Sequence, residues 1–403
     1  MKILILNAGS SSQKSCLYNI DDFLPSSPPK PLWEAKVDWN HHQSFAEIQI
    51  KTASGEKLEE ELPNESRTAV ISHMLDTLWQ GKSKVIADLS QINIIGHRVV
   101  HGGQEYREPT KITPEVKAAI KRLSVLAPAH NPANLEGIEA IEKVLPDVLQ
   151  VAVFDTAFHS DLPLPAAVYP IPYEWFEQGI RRYGFHGISH EYCAKRAAQL
   201  LGKELASLRV ITCHLGNGCS LAAIRNGKSI DTTMGFTPLE GLMMGSRSGS
   251  VDPGILIHLL REGLDPDKLD EMLNKASGLK GISGVGGDMR QILSAVREGN
   301  SRAMLAFDMY VHSLCKHIGG MLATLGGLDA LVFTGGVGEN VGEIRDRVAQ
   351  AFAFLGLKVD SEKNNFSPVD EDIAESDSLV RVLVVHTEED WAIATECWKF
   401  KNL

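Results

Sequence analysis

Two arginines stand among residues that suit a ligand better than bulk water. Arg98 lies in Gly96-His97-Arg98-Val99-Val100-His101-Gly102-Gly103, and Arg247 in Met244-Gly245-Ser246-Arg247-Ser248-Gly249. Glycine lets a backbone approach a ligand closely, and the planar guanidinium fork binds carboxylate or phosphoryl oxygens in pairs. For either arginine alone, bonding to loop carbonyls is an equal alternative.

The histidines are ambiguous in the same way. His130, in Ala127-Pro128-Ala129-His130-Asn131-Pro132, precedes a helix start, and helix N-termini attract anions. His186 lies in Tyr183-Gly184-Phe185-His186-Gly187-Ile188-Ser189-His190. The pairs His97/His101 and His186/His190 have a spacing that binds zinc on a helix. Neither pair encloses the Glu of an HExxH site, and Gly102 and Gly187 argue against a rigid helix. Each could equally be a satisfied polar histidine. Three acids complete the set: Asp155 after the apolar run 149–154, Asp288 in Gly286-Gly287-Asp288-Met289-Arg290, and Glu389 in Thr387-Glu388-Glu389-Asp390. An acid directly after a buried strand suits a site at the strand's carboxyl end. Helix capping is the competing role for Asp155 and Thr387.

Glycine-bearing loops then supply anion sites. Ile3–Leu6 runs into Asn7-Ala8-Gly9-Ser10-Ser11-Ser12, with Lys14 beyond; Val210–Cys213 runs into His214-Leu215-Gly216-Asn217-Gly218-Cys219-Ser220. Backbone N–H groups and hydroxyls at such strand ends cradle phosphates. A shift of about 207 positions lays the first loop on the second in pattern rather than identity, which suggests a duplication or a chance match. A third cluster, Gly335-Gly336-Val337-Gly338-Glu339-Asn340, also follows an apolar run.

Positioning these groups requires strands at 2–6, 92–97, 149–154, 210–213, 330–334 and 381–385, alternating with helices. That alternation indicates an α/β architecture with largely buried sheets. A helix opens at Thr113-Pro114-Glu115, with an N-cap, a first-turn proline and an acidic first turn. The late strand at 381–385 is expected to join an existing sheet, returning to the first domain, and a helix with Trp391, Thr395 and Trp398 on one side ends the chain. Residues 24–31 and the acidic run 370–377 read as solvated loops.

The chain has 403 residues, enough for two domains. A net charge of −11 argues against nucleic-acid or anionic-membrane partners, so an anionic substrate would need locally clustered cations. Six scattered cysteines without CxxC spacing suit reduced thiols and a cytoplasmic location. No segment reads as a membrane span or signal-peptide core.

Taken together, the motifs resemble the acetate kinase family of the acetate and sugar kinase/Hsp70/actin superfamily. The matching stretches are ILNAGSSSQK (5–14), GHRVVHGG (96–103), APAHNPAN (127–134), VFDTAFH (153–159), YGFHGISH (183–190), HLGNGCS (214–220), MGSRSGSVDPG (244–254), SGVGGDMR (283–290) and FTGGVGEN (333–340). The resemblance implies duplicated ribonuclease-H-like (actin-like ATPase) domains with a nucleotide cleft between them. Residues 1–154, completed by 387–403, would form one domain and 155–386 the other. It also implies a homodimer that transfers phosphoryl reversibly from ATP to acetate, giving acetyl phosphate and ADP. It puts Asn7 and Glu389 at Mg²⁺, with Mn²⁺ as an alternative, and Lys14 near ATP. Arg98, Val100, His130, Phe185 and Pro238 fall at the acetate site. Asp155, His186, Arg247 and Arg98 take catalytic positions. His214, Leu215, Gly216, Asn217, Gly218, Asp288, Met289, Arg290, Gly336, Val337, Gly338, Glu339 and Asn340 match nucleotide-binding segments.

Two positions depart from the family pattern. Ala129 replaces the usual leucine, which would enlarge an acyl pocket, and Glu388 replaces asparagine beside the metal position. Three rival readings follow: a propionate or butyrate kinase on this scaffold, an Hsp70- or actin-like nucleotide-driven interaction protein, and a zinc hydrolase.

Overall fold

The computed structural model describes residues 1–9, 12–39, 45–63 and 66–402. Ser10 and Ser11 of the first glycine loop lie outside the described residues. The chain forms two compact units, Met1–Ala157 with Glu388–Leu403, and Phe158–Thr387.

The first unit is built on β1 (Lys2–Ala8), β2 (Ser12–Asn19), β3 (Trp33–Asp38), β4 (Phe45–Thr52), β5 (Lys57–Pro63), β6 (Ile92–Val99), β7 (Thr110–Lys111) and β8 (Leu149–Phe154), in the order β5-β4-β3-β2-β1-β6-β8-β7. The apolar β1, β6 and β8 run parallel, and β1 to β5 form antiparallel hairpins. One face packs Leu4, Leu6, Trp33 and Ile95 against Val70, Met74 and Ile141 of the helices Arg67–Asp76 and Asn131–Val144. The terminal helix Glu389–Asn402 packs on β1 and β6. Gly96 makes room for it: a Cβ there would lie 2.6 Å from Cys397 Sγ and 2.7 Å from Ile393. The buried side of this helix carries Trp391, Ile393, Ala394 and Cys397; Trp398 is only partly buried. Each fully buried large apolar side chain contributes roughly 1.5–3 kcal/mol.

The second unit holds β9 (Arg209–Leu215), β10 (Cys219–Arg225), β11 (Lys228–Thr232), β12 (Ala330–Thr334), β13 (Glu371–Asp372) and β14 (Arg381–Val384), ordered β11-β10-β9-β12-β14-β13. Its inner order repeats β3-β2-β1-β6-β8 of the first unit, with the same antiparallel hairpin pair beside the same parallel pair. The shift of 207 carries β1, 2–8, onto β9, 209–215. The duplication is therefore real at the level of strands, where sequence showed only a pattern.

Several expectations need correction. The late strand, β14, pairs with β12 in the second unit, and only the final helix belongs to the first. The acidic run is tied into a sheet edge: Glu371 and Asp372 pair with β14, and Asp370 accepts from Arg196 Nε at 2.8 Å. Gly187 does not break a helix, since Gly187–Leu200 is one. Thr113 caps its helix as expected, accepting from the Val116 N–H.

His97 and His101 are not on a helix; they sit in and just after β6, both buried. His97 Nε2 meets Gln150 Oε1 at 2.7 Å. Burial holds His97 down to about 4 despite that bond, and burial alone takes His101 to about 4. The unfolded chain binds these protons near pH 6.5 and the folded unit does not, so stability present above pH 6.5 is lost as pH falls toward 4. Each histidine accounts for roughly 3 kcal/mol over that window. The urea midpoint should fall between pH 6.5 and 4, and less steeply in His97→Asn. An unchanged slope would remove His97 from the account.

Candidate active site

In the first unit the candidate groups gather at the carboxyl ends of β1, β6 and β8, where open α/β sheets bind ligands. Asn7 is the penultimate residue of β1, Arg98 lies near the end of β6, and Asp155 directly follows β8. Arg98 Nη2 donates to Asp155 Oδ2 at 2.8 Å, with the two side chains 13% and 1% exposed. Burial works against the Arg98 charge, but Asp155, Glu389 and Asp390 outweigh it and hold the guanidinium firmly protonated. Arg98 Nε is buried without a hydrogen-bond partner among the described residues. A buried donor left open in this way suits an anionic ligand.

Asn7 Nδ2 donates to Asp390 Oδ1 at 2.9 Å and to Glu389 Oε2 at 3.3 Å. With its amide nitrogen held, Asn7 can offer its oxygen beside the Glu389 carboxylate. Such hard oxygen donors fit Mg²⁺, which keeps much of its water shell. No group of three or more His, Cys, Asp or Glu able to hold a metal occurs among the described residues. Lys14, exposed on β2, is the register partner of Asn7.

The AHNPAN segment has a role that sequence did not reveal. Asn134 Oδ1 accepts from the buried Val100 N–H at 3.1 Å, and its Nδ2 donates to the Ala8 carbonyl at 2.9 Å. Asn131 bonds both the N–H and the carbonyl of His101. Together they pin the helix that carries His130 at its N-cap to the ends of β1 and β6. Ala129 is exposed in this unit.

In the second unit His186 caps the helix Gly187–Leu200 with φ of 57°, a left-handed conformation that is costly for a non-glycine residue. Its ring stacks on His214 at 4.2 Å. A Cβ on Gly218 would lie 3.5 Å from both His186 Nε2 and Arg247 Nη1, so the two cationic or donor groups flank the same loop. Arg247 Nη1 also donates to the Pro238 carbonyl at 3.0 Å, so carbonyl bonding and a ligand role are compatible. No carboxylate forms a salt bridge with Arg247 among the described residues, and burial lowers its pKa. A partly buried cation without a counter-ion is costly unless an anion joins it. Phe185 is buried, and its carbonyl accepts from His159 Nε2.

A cavity of about 1250 Å³ lies within this unit. It brings together Gly216 and Asn217, Asp288 to Arg290, and Gly336, Val337 and Asn340, from three separate segments. Two glycines allow the close approach of these loops. A Cβ on Gly245 would lie 2.3 Å from Asn217 Oδ1, and one on Gly287 would lie 2.8 Å from the Gly245 carbonyl. Asp288 accepts from the Arg290 N–H and caps the helix Met289–Arg297. Lys280 and Arg297 also line the cavity and carried no sequence signal beyond their charge. His214, Leu215, Gly218, Gly338 and Glu339 do not line it. The Glu339 carboxylate instead accepts from the Gly335 N–H at 2.9 Å and meets His386 Nδ1 at 2.6 Å.

Two sheets of one topology, with ligand-suited groups at the ends of their parallel strands, define the duplicated ribonuclease-H-like class of the actin-like ATPases. A sequence profile of the acetokinase family matches residues 2–395, and the chain belongs to that family. It is 66% identical over 404 residues to the acetate kinase of Trichormus variabilis, covering all of both chains. Among solved structures, the acetate kinase of Porphyromonas gingivalis superposes with a TM-score of 0.91 at 42% identity, covering 99% of each chain. A propionate kinase from Francisella tularensis gives 0.89 at 40% identity, also covering 99% of each.

Proposed function

We propose that this protein is an acetate kinase, transferring the γ-phosphoryl group of ATP reversibly to acetate to give acetyl phosphate and ADP. The observation that carries the reading is the convergence of Arg247 and His186 on the Gly218 loop, with no carboxylate among the described residues in a salt bridge with the arginine. The cavity formed by the glycine-rich segments supports ATP as donor. Arg98, with its open Nε beside Asp155, supports a small carboxylate as acceptor.

Acetate has a carboxyl pKa of about 4–5 and is ionised at neutral pH, so no general base is required. Its oxygen attacks the γ-phosphorus, the bond to the ADP oxygen breaks, and ADP leaves with the electron pair. Negative charge spreads over three equatorial oxygens, and fixed positive groups stabilise it. Arg98 orients acetate, Arg247 and His186 meet the phosphoryl oxygens, and Asp155 holds Arg98. Asn7 and Glu389 would hold Mg²⁺, Asp155 would orient the ion or the ion's water shell, and Mg²⁺ when bound would neutralise nucleotide phosphate charge.

We also propose a cytoplasmic homodimer with no nucleic-acid or membrane partner. The apolar helix Pro253–Arg261 buries none of its residues, and Ile255, Ile257 and Leu260 are 50%, 50% and 42% exposed. Such a face suits a second copy of the chain. Light scattering should read twice the chain mass, and Ile257→Glu should shift it toward one.

The decisive experiment traps acyl phosphate as hydroxamate while the carboxylic acid is varied. Acetate should give the highest kcat/KM. A preference for propionate or butyrate would identify the other acyl kinases. ATP hydrolysis without hydroxamate would instead point to an Hsp70- or actin-like machine.

A further inference from the structure

Behind His186 lies a chain of buried groups that the transfer itself does not use. His186 Nδ1 meets Ser220 Oγ at 2.9 Å, Ser220 Oγ meets His190 Nε2 at 2.7 Å, and His190 Nδ1 meets Thr212 Oγ1 at 2.7 Å. Thr212, Ser220 and His190 are each 0% exposed. They come from β9, β10 and the helix Gly187–Leu200, so the sheet and its covering helix fix the spacing.

We infer that Thr212, His190 and Ser220 act as positioning residues that hold the ring proton of His186 on Nε2, so that it faces the reaction as a hydrogen-bond donor. This rests on the phosphoryl-transfer role proposed for His186.

The argument is an accounting of protons. Burial, with His159 and His214 nearby, keeps His190 well below its ordinary pKa. It is therefore neutral and carries one ring proton. The Ser220 hydroxyl has one proton and two histidine nitrogens to satisfy. If it donated to His190 Nε2, the His190 proton would sit on Nδ1 and point at Thr212. The buried Thr212 hydroxyl would then have no acceptor, because among the described residues its one hydrogen-bond partner, side chain or backbone, is His190. An orphaned buried hydroxyl is costly. In the opposite sense every donor finds an acceptor. Thr212 donates to His190 Nδ1, His190 Nε2–H donates to Ser220, and Ser220 donates to His186 Nδ1. The His186 proton then lies on Nε2, the atom beside Gly218 and Arg247 Nη1.

The test is ¹⁵N NMR of the full-length protein labelled at histidine, with His186 assigned through its missing signal in His186→Gln. The expected pattern is a pyridine-like Nδ1 and a pyrrole-like Nε2. In Ser220→Ala the pattern should become mixed, and kcat should fall about tenfold with both KM values within about twofold. Removing a transition-state donor outright costs about 10²–10³, and this change only loosens one. His190→Gln keeps an N–H directed at Ser220 and should retain the Nε2–H signature and most of the turnover, whereas His190→Leu should lose both. A wild-type His186 protonated on Nδ1, or on both nitrogens, overturns the inference whether or not any variant folds. An unchanged tautomer in Ser220→Ala overturns it as well. Because the NMR readout needs no substrate, the expected tautomer in a protein that forms no hydroxamate would refute the kinase reading alone.

Discussion

Arg247→Ala lowers turnover about a thousandfold while leaving the Michaelis constants for ATP and acetate within a few-fold. Removing one preorganised donor from developing charge typically costs 10²–10³, and arginines at transferring phosphoryl groups reach 10³–10⁵. Arg247 belongs in that range because no carboxylate among the described residues forms a salt bridge with it. Its bond to the Pro238 carbonyl also fixes the guanidinium before substrate arrives. Arg98→Ala should behave differently. Arg98 lies in the first unit beside Asp155, so its loss should raise the acetate KM about ten- to a hundredfold and lower kcat less. Steady-state kinetics in the direction of acetyl phosphate synthesis separates the two. Equal and negligible effects would refute the assignment of both residues.

Asp155→Asn has the second largest expected effect, because one side chain serves structure and chemistry. The substitution keeps the shape of the side chain and removes the charge that Arg98 Nη2 meets at 2.8 Å. Breaking a buried ion pair costs about 3–5 kcal/mol. Arg98 retains some exposure and the fields of Glu389 and Asp390, so a loss of roughly 2–3 kcal/mol is expected. Turnover should fall about a hundredfold or more as Arg98 loses its orientation. The half-saturating Mg²⁺ concentration should also rise. Activity lost with Mg²⁺ dependence unchanged would rule out a metal-orienting role and leave only the hold on Arg98. A double-mutant cycle with Arg98→Gln isolates that hold, and it should give coupling within the usual 0.5–3 kcal/mol range. Additive effects would show that the contact does not matter.

The parallel strands were legible in sequence because both of their faces are covered, which writes them as short apolar runs. The hairpin strands β2 to β5 and β10 to β11 were not. In β3 to β5 the residues alternate or are polar, as in Lys57–Pro63, where no position is fully buried. The sheet that takes the late strand β14 stayed open for a related reason: an apolar run shows that a strand is buried, not which neighbour pairs with it, and the pairing with β12 decides it.

The sequence by itself determined which residue types were available and at which strand ends. Glycine, arginine and carboxylate signatures depend on local chemistry, and local chemistry is written in consecutive residues. The resemblance built from those motifs led to the family. Only the tertiary structure decided which groups meet. Arg98 reaches Asp155 across 57 residues because β6 and β8 are parallel neighbours. The helix Gly187–Leu200 delivers His190 to Ser220, and the Ser220 hydroxyl reaches back to His186. No periodicity or spacing encodes those contacts. They arise when sheets and helices bury their apolar faces, and that burial makes a paired charge or a satisfied hydroxyl worth its position.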